Sequence, residues 1–154
     1  MAQGDVVVFD QFIADLLDPD VGHDFGATPH TVKCAVVDST IAMVTTLADP
    51  CWGSGGTTDV SANEVTIAGD YAAGGNTCAS PNISIVGGVI YLDWGDPTAW
   101  ATGTDTDAKW GIVYNDSLTP KKCIAYVDLG TAFDMSTGTL TITFGTPAVT
   151  LNQG

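Results

Sequence analysis

Hydrophobic spacing along the chain changes period once, around Asp18 to Asp20. From Phe9 to Leu17 the apolar residues Phe9, Phe12, Ile13, Leu16 and Leu17 recur at helical intervals, with Asp10, Gln11, Ala14 and Asp15 opposite. This pattern predicts an amphipathic helix over residues 9–18 with its apolar stripe buried. Pro19, between Asp18 and Asp20, removes a backbone donor and ends it. Beyond that point the period is two. Val32, Cys34 and Val36 are set against Lys33 and Ala35. Trp110, Ile112 and Tyr114 form a second series, and Cys123, Ala125, Val127 and Leu129 a third. Leu140, Ile142 and Phe144 alternate with Thr139, Thr141 and Thr143. Each series predicts a strand with one face buried and one facing water.

Dense turn signals separate these strands. Gly87-Gly88, between ISIV and VIYL, reads as a tight hairpin turn, and Asn115 to Ser117 and Ser136 to Gly138 read as further turns. The stretches 48–58 and 93–107 are rich in Gly, Pro, Asp and Thr and read as exposed loops. With no repeat and no linker, residues 1–154 read as a single β domain. The expected fold is mainly β: an antiparallel β-sandwich or partly closed barrel of about seven or eight strands with one short N-terminal helix. Residues 1–8 precede the helix as a candidate arm. Asp5, Val6, Val7 and Val8 carry a β-branched run suited to pairing with the sheet edge of a partner chain. The same run would equally form an edge strand of the protein's own sheet.

Composition narrows the function classes. A chain of 154 residues buries roughly 70% of its extended surface, so its core needs neither cross-links nor a metal. Seventeen Asp, one Glu (Glu64), four Lys and no Arg give a net charge of -14. Nucleic-acid affinity comes largely from Lys and Arg neutralising phosphates, so no nucleic-acid partner is expected. An acidic surface also keeps an abundant protein soluble. The opening MAQGDVVVFDQF has neither a basic region nor an apolar run of signal length, so export by that route is not expected. No stretch approaches the ~20 apolar residues of a membrane span, and no membrane partner is expected.

Candidate chemistry is sparse. His23 and His30 lie in a loop-like segment with Gly22, Gly26 and Pro29. Pairings with Ser39, Cys34 or Asp24 match no ordered catalytic motif, so no catalytic residues are expected. Asp93, Asp96, Asp105 and Asp107, and earlier Asp18, Asp20 and Asp24, supply hard oxygens. They lack the glycine and closing glutamate of a calcium loop, so no metal and no cofactor is expected. Cys34, Cys51, Cys78 and Cys123 are too dispersed for a zinc site. Cys34 and Cys123 lie on strands among apolar neighbours, whereas Cys51 and Cys78 lie in loop-like sequence and form the candidate disulfide pair. Trp110 reads as core. Trp52, Trp94 and Trp100 sit at strand ends or loops, where they would cap a sandwich, fill an interface or, less simply, stack on a sugar.

Seven strings occur in an order that carries a resemblance. They are FDQFIADLLD (Phe9 to Asp18), TVKCAVVDS (Thr31 to Ser39), DVSANEV (Asp59 to Val65), YAAGG (Tyr71 to Gly75), Leu92-Asp93 with Trp100, AKWGIVYND (Ala108 to Asp116) and CIAYVDLG (Cys123 to Gly130). Together, from about Val8 to Phe144, the series resembles a family of small tailed-bacteriophage virion structural proteins. The four cysteines and the longer PCWGSGGTT loop depart from that pattern. The resemblance implies a capsid decoration or cement protein. Such a protein would assemble in the host cytoplasm as a homotrimer on the outer face of the head and bind the major capsid protein. The alternative it implies is a tail-tip or fibre-associated virion protein contacting the host surface. On the decoration reading residues Ala2 to Val8 are expected to touch the shell or a neighbouring subunit.

Overall fold

A computed structural model describes residues 3–152. Its elements run β1 (Val6–Val8), α1 (Asp10–Leu17), β2 (Val32–Asp38), β3 (Pro50–Cys51), β4 (Thr58–Asp59), a 3-10 turn (Val60–Asn63), β5 (Asn76–Cys78), β6 (Asn82–Val86), β7 (Val89–Asp93), β8 (Ala108–Asn115), β9 (Cys123–Phe133) and β10 (Val149–Leu151). The fold is mainly β with one α-helix, as the spacing predicts. Five strands form an antiparallel sheet in the order β1-β9-β8-β2-β5, and three form a second antiparallel sheet in the order β10-β7-β6. Neither sheet closes on itself. A two-residue parallel pair, β3 with β4, sits apart from both.

The Gly87-Gly88 turn is as expected. Val86 pairs with Val89 across it, and both glycines have positive φ, 59° and 84°. This is the backbone that two-residue hairpins require.

Three expectations are corrected. First, the central strands are buried on both faces rather than one. Val32, Cys34, Ala35, Val36 and Val37 are all at 0% exposure, and Cys123 to Val127 are likewise buried in succession. On one face the ring of Phe9 packs 5.1 Å from Tyr126, bringing in α1; on the other, Ile142 lies over Gly111 of β8. After Lys33, the positions between the alternating residues of VKCAVVD, Ala35 and Val37, are themselves apolar, which is the signature of a strand covered twice.

Second, only part of the helix stripe is buried. Phe9 and Phe12 are at 0% and Leu16 is half-buried, but Ile13 is 38% and Leu17 84% exposed, while Asp15 on the opposite side is buried. The helix is turned about its axis towards Phe12, whose ring meets His23 and Phe25 edge-on.

Third, the Thr139 to Phe144 stretch is not a laddered strand. Leu140, Ile142 and Phe144 are buried and the threonines exposed, as the alternation predicts. Its backbone nevertheless pairs only at Leu140 with Trp100, and Phe144 donates its N–H to the Asp96 carboxylate at 2.7 Å. A side-chain oxygen stands where a neighbouring strand would.

Candidate functional site

The residues read as an arm form β1, the outermost strand of the large sheet. Val6, Val7 and Val8 pair with Val127, Tyr126 and Ala125 of β9, and Gly4 donates its N–H to the Asp128 carbonyl. The segment is therefore a strand of the protein's own sheet rather than a detached arm. Its apolar side chains gain more against Val127 and the core than in water. Having β9 on one side only, β1 presents backbone groups on the other, as edge strands do. Asp5 precedes it and is exposed. Ala2, also expected at the contact, lies outside the described residues.

Two of the motifs form a single hydrogen-bonded network. Asp59 caps the 3-10 turn by accepting from the Ser61 N–H at 3.0 Å, and also accepts from Gly53 at 3.1 Å. Glu64, at the end of DVSANEV, accepts from the Tyr71 hydroxyl at 3.0 Å and the Gly74 N–H at 2.6 Å. Tyr71 in turn accepts from the Val36 N–H at 2.9 Å, and Tyr114 donates to the Gly74 carbonyl at 2.8 Å. These contacts fasten YAAGG onto β2 and β8. Burial, reinforced by Glu64, pushes the Tyr71 phenol far above its ordinary range, and burial does the same to Tyr114. Both remain hydroxyl donors and acceptors of structure rather than proton-transfer groups. Beside them lies an open cleft of about 460 Å³, lined among others by Lys33, Trp52, Ser61, Glu64 and Lys121, with Trp52 stacked on Tyr114 at 5.0 Å.

His23 and His30 converge on Asn115. The fully buried Asn115 amide nitrogen lies 3.1 Å from Nδ1 of His23 and 3.0 Å from Nδ1 of His30. Its carbonyl oxygen accepts from the Ser117 N–H. With one amide hydrogen for each ring, both Nδ1 atoms are acceptors and the imidazole protons sit on Nε2. Burial outweighs the favourable Asp15 carboxylate and lowers His23 to about 4, so its ring is neutral at pH 7. Among the described residues neither histidine contacts a serine hydroxyl or a thiol, and the pairings with Ser39 and Cys34 do not occur. Ser39 instead donates to Asp107.

All four cysteines are free and buried, including the two read as loop residues. Cys78 closes β5, opposite Val32 of β2, which places it diagonally across from Cys34 on the same sheet face. Cys51 bridges to Lys122, beside Cys123. The expected partners Cys51 and Cys78 thus each have a different thiol as neighbour, because the short strands that carry them join different elements. Burial pushes Cys51 up to about 11 and Cys78 to about 12, so both are protonated and unreactive at neutral pH. Trp52, Trp94 and Trp100 are all buried and cap the core, whereas Trp110, read as core, is only half-buried. The indole of Trp110 donates to the Ile41 carbonyl and lies beneath the Lys109 ammonium. No aromatic platform of exposed tryptophans is formed.

The aspartates have a structural use that the charge count conceals. Asp18, Asp24, Asp38, Asp59, Asp105 and Asp134 each accept the N–H of the residue two positions on, closing a turn. Asp128 does the same for Gly130. The signal was present as Asp-x-Ser, Asp-x-Thr, Asp-x-Gly or Asp-x-Asp spacing, which shorter-reaching Asp satisfies and Glu does not. Asp93 and Asp96, read as possible calcium ligands, hold the Ala148 and Phe144 N–H groups. No group of three or more His, Cys, Asp or Glu placed to share a metal ion occurs among the described residues.

Asp105 does most. It accepts from the Thr66 N–H and hydroxyl and from the Asp107 N–H. Partial burial raises its pKa, but these three donors outweigh that and hold it below the usual carboxylate range. Asp105→Ala should therefore lose about 2 kcal/mol in urea unfolding, and Asp105→Asn less, since charged acceptors bind backbone donors more strongly than neutral ones. Equal stability of the alanine variant and the wild type would show that the turn closes without the carboxylate.

Each of the four lysines is paired with a carboxylate: Lys33 and Lys121 with Asp116, Lys109 with Asp128, and Lys122 with Asp49. No family model, curated protein or solved structure matches the chain.

Proposed function

We propose that the protein is a bacteriophage capsid decoration protein, bound as a homotrimer to the outer face of the head through the major capsid protein. The observation that carries this reading is the position of β1. Strand β1, Val6 to Val8, ends the large sheet with β9 as its one strand neighbour, so a neighbouring chain can add at its outer edge by backbone hydrogen bonds. Three such edges on one trimer multiply a weak contact by raising effective concentration. The charge of -14, with every lysine already paired, suits a station outside the DNA-filled space. The resemblance of the motif series to virion structural proteins points the same way.

Copy number in purified particles tests the reading. A quantitative gel or cryo-electron microscopy map should give copies in simple proportion to shell subunits, on the capsid exterior. A handful of copies at one vertex would assign the chain to the tail, and absence from particles would end the virion reading.

A further inference from the structure

A second surface is built from helix α1 and the three-stranded sheet. Strand register places Leu151, Ile90 and Ile85 in one cross-strand row, and Val149, Leu92 and Ile83 in the next. In the second row Val149 and Leu92 sink into the core while Ile83 stays 41% exposed; the first row stays outside it, and Ile85 is 68% exposed. Facing the rows is the part of the helix stripe that the fold leaves uncovered, Ile13 and Leu17. With Ile83, Ile90 and Leu151 these two residues line an open groove of about 480 Å³ with no charged side chain in its lining. Of the seven large hydrophobic residues exposed in the described chain, five belong to these elements: Ile13, Leu17, Ile83, Ile85 and Val86. A contiguous apolar surface of this kind on an acidic protein marks an interaction site.

The edge beside the groove is also open. Strand β6 ends its sheet, and all five of its residues are exposed. Ile83 and Ile85, two positions apart, point to the same face, so an added strand with apolar residues at every second position would continue both rows.

Charge decides between occupants. The exposed carboxylates flanking the helix stripe in the chain are Asp10, Asp18 and Asp20, and no lysine lies on α1, β6, β7 or β10. A second copy would bring the same carboxylates and another -14 of net charge to the contact. A cationic segment would meet them favourably. We propose that the groove and the β6 edge receive an extended segment of a different protein, added as a fourth strand, with apolar residues at alternate positions and Lys or Arg beside them. The decoration reading supplies only the name of that partner, a shell-protein segment; the recognition chemistry stands on the groove itself.

The test uses a short synthetic peptide alternating Lys with Val and Ile, blocked at both ends, at millimolar concentration, with hydrogen exchange as the readout. The expected result is slowed exchange at β6 amides. Binding should be at least about tenfold weaker for a peptide with Glu in place of Lys, and for Leu17→Lys and Ile85→Lys proteins. Both substituted positions are exposed, so the variants keep the fold. Unchanged exchange at β6, or equal binding of the Glu peptide, overturns the proposal. Self-association in sedimentation that Leu17→Lys abolishes overturns it too, by giving the face to a second copy. Protection of β6 by the Lys peptide in a protein absent from particles would defeat the decoration reading alone.

Discussion

Gly75→Ala should cost the domain about 4 kcal/mol or prevent its folding, more than removal of most core side chains. Gly75 has φ of +67°, where an L residue is strained by about 1–2 kcal/mol. The larger part comes from packing. A Cβ there would lie 2.0 Å from the Cys34 carbonyl oxygen and 2.5 Å from the Ala35 Cα, both backbone of β2. Strand β2 is held between β5 and β8 and cannot yield without breaking ladder hydrogen bonds on either side. Gly87→Ala separates the two causes. Gly87 also has positive φ, 59°, but nothing lies within 4 Å of its added Cβ, so only the strain of about 1 kcal/mol remains. Urea midpoints of the two variants should differ by a factor reflecting this gap. A Gly75→Ala protein within 1 kcal/mol of wild type would mean that YAAGG can lift off β2 without loss.

The same glycine shows why some of the fold was legible in the sequence and some was not. Local signals were read correctly where one residue class has one use. Pro19 ends the helix, Gly87-Gly88 turns a hairpin, and VKCAVVD, AKWGIVYN and CIAYVDL are strands. What escaped depends on which element packs on which. Alternation in CIAYVDL cannot tell whether a second layer covers the other face, and here α1 does so through Phe9. TLTITF has the alternating burial of a strand but no ladder: its backbone pairs at Leu140 with Trp100, and the Phe144 N–H goes to the Asp96 carboxylate. Cys51 and Cys78 looked like loop thiols because two- and three-residue strands leave little periodicity to detect.

The run at Asp5 to Val8 was legible as strand-forming, with an edge strand of the protein's own sheet as one of two equal readings; the choice between that and a detached arm is a matter of topology, which pairs Val6 to Val8 with β9. The groove beside α1 was misread outright. An apolar stripe on a helix predicts burial, yet Leu17 is 84% exposed, and the conflict between pattern and burial is what marks the surface. The aspartates were legible as charge alone. Their turn-closing role follows from spacing to the N–H two residues on, and accounts for a chain with so much Asp and a single Glu.

Acidification from pH 7 to 4 should remove about 2–3 kcal/mol of stability through His23 alone. Its imidazole is held at about 4 in the fold against 6.5 in the unfolded chain, chiefly by burial. Between those values the unfolded state binds the proton and the folded state does not. Stability from this group is therefore complete above pH 6.5, falls as pH drops, and changes no further below about 4. The geometry gives the reason. Protonation at Nδ1 would set an N–H against the Asn115 amide at 3.1 Å, donor facing donor, while the ring is packed flat on Phe25 and against Phe12 edge-on. The Nε2 atom is already buried without a partner, so a charged ring gains nothing there. Asp15 favours the charged ring, but His30 and Lys122 oppose it together with burial. Asp105 and Asp128, both held below the usual carboxylate range, lose their contribution only at lower pH, so the two stages separate along a titration. His23→Gln should be less stable than wild type at pH 7 by about 1 kcal/mol, yet should lack the loss between pH 6.5 and 4, because glutamine offers Asn115 an acceptor that does not titrate. Urea unfolding of both proteins across this range is the measurement. A His23→Gln protein with the wild-type pH slope would place the acid sensitivity elsewhere and refute the role assigned to the Asn115 amide.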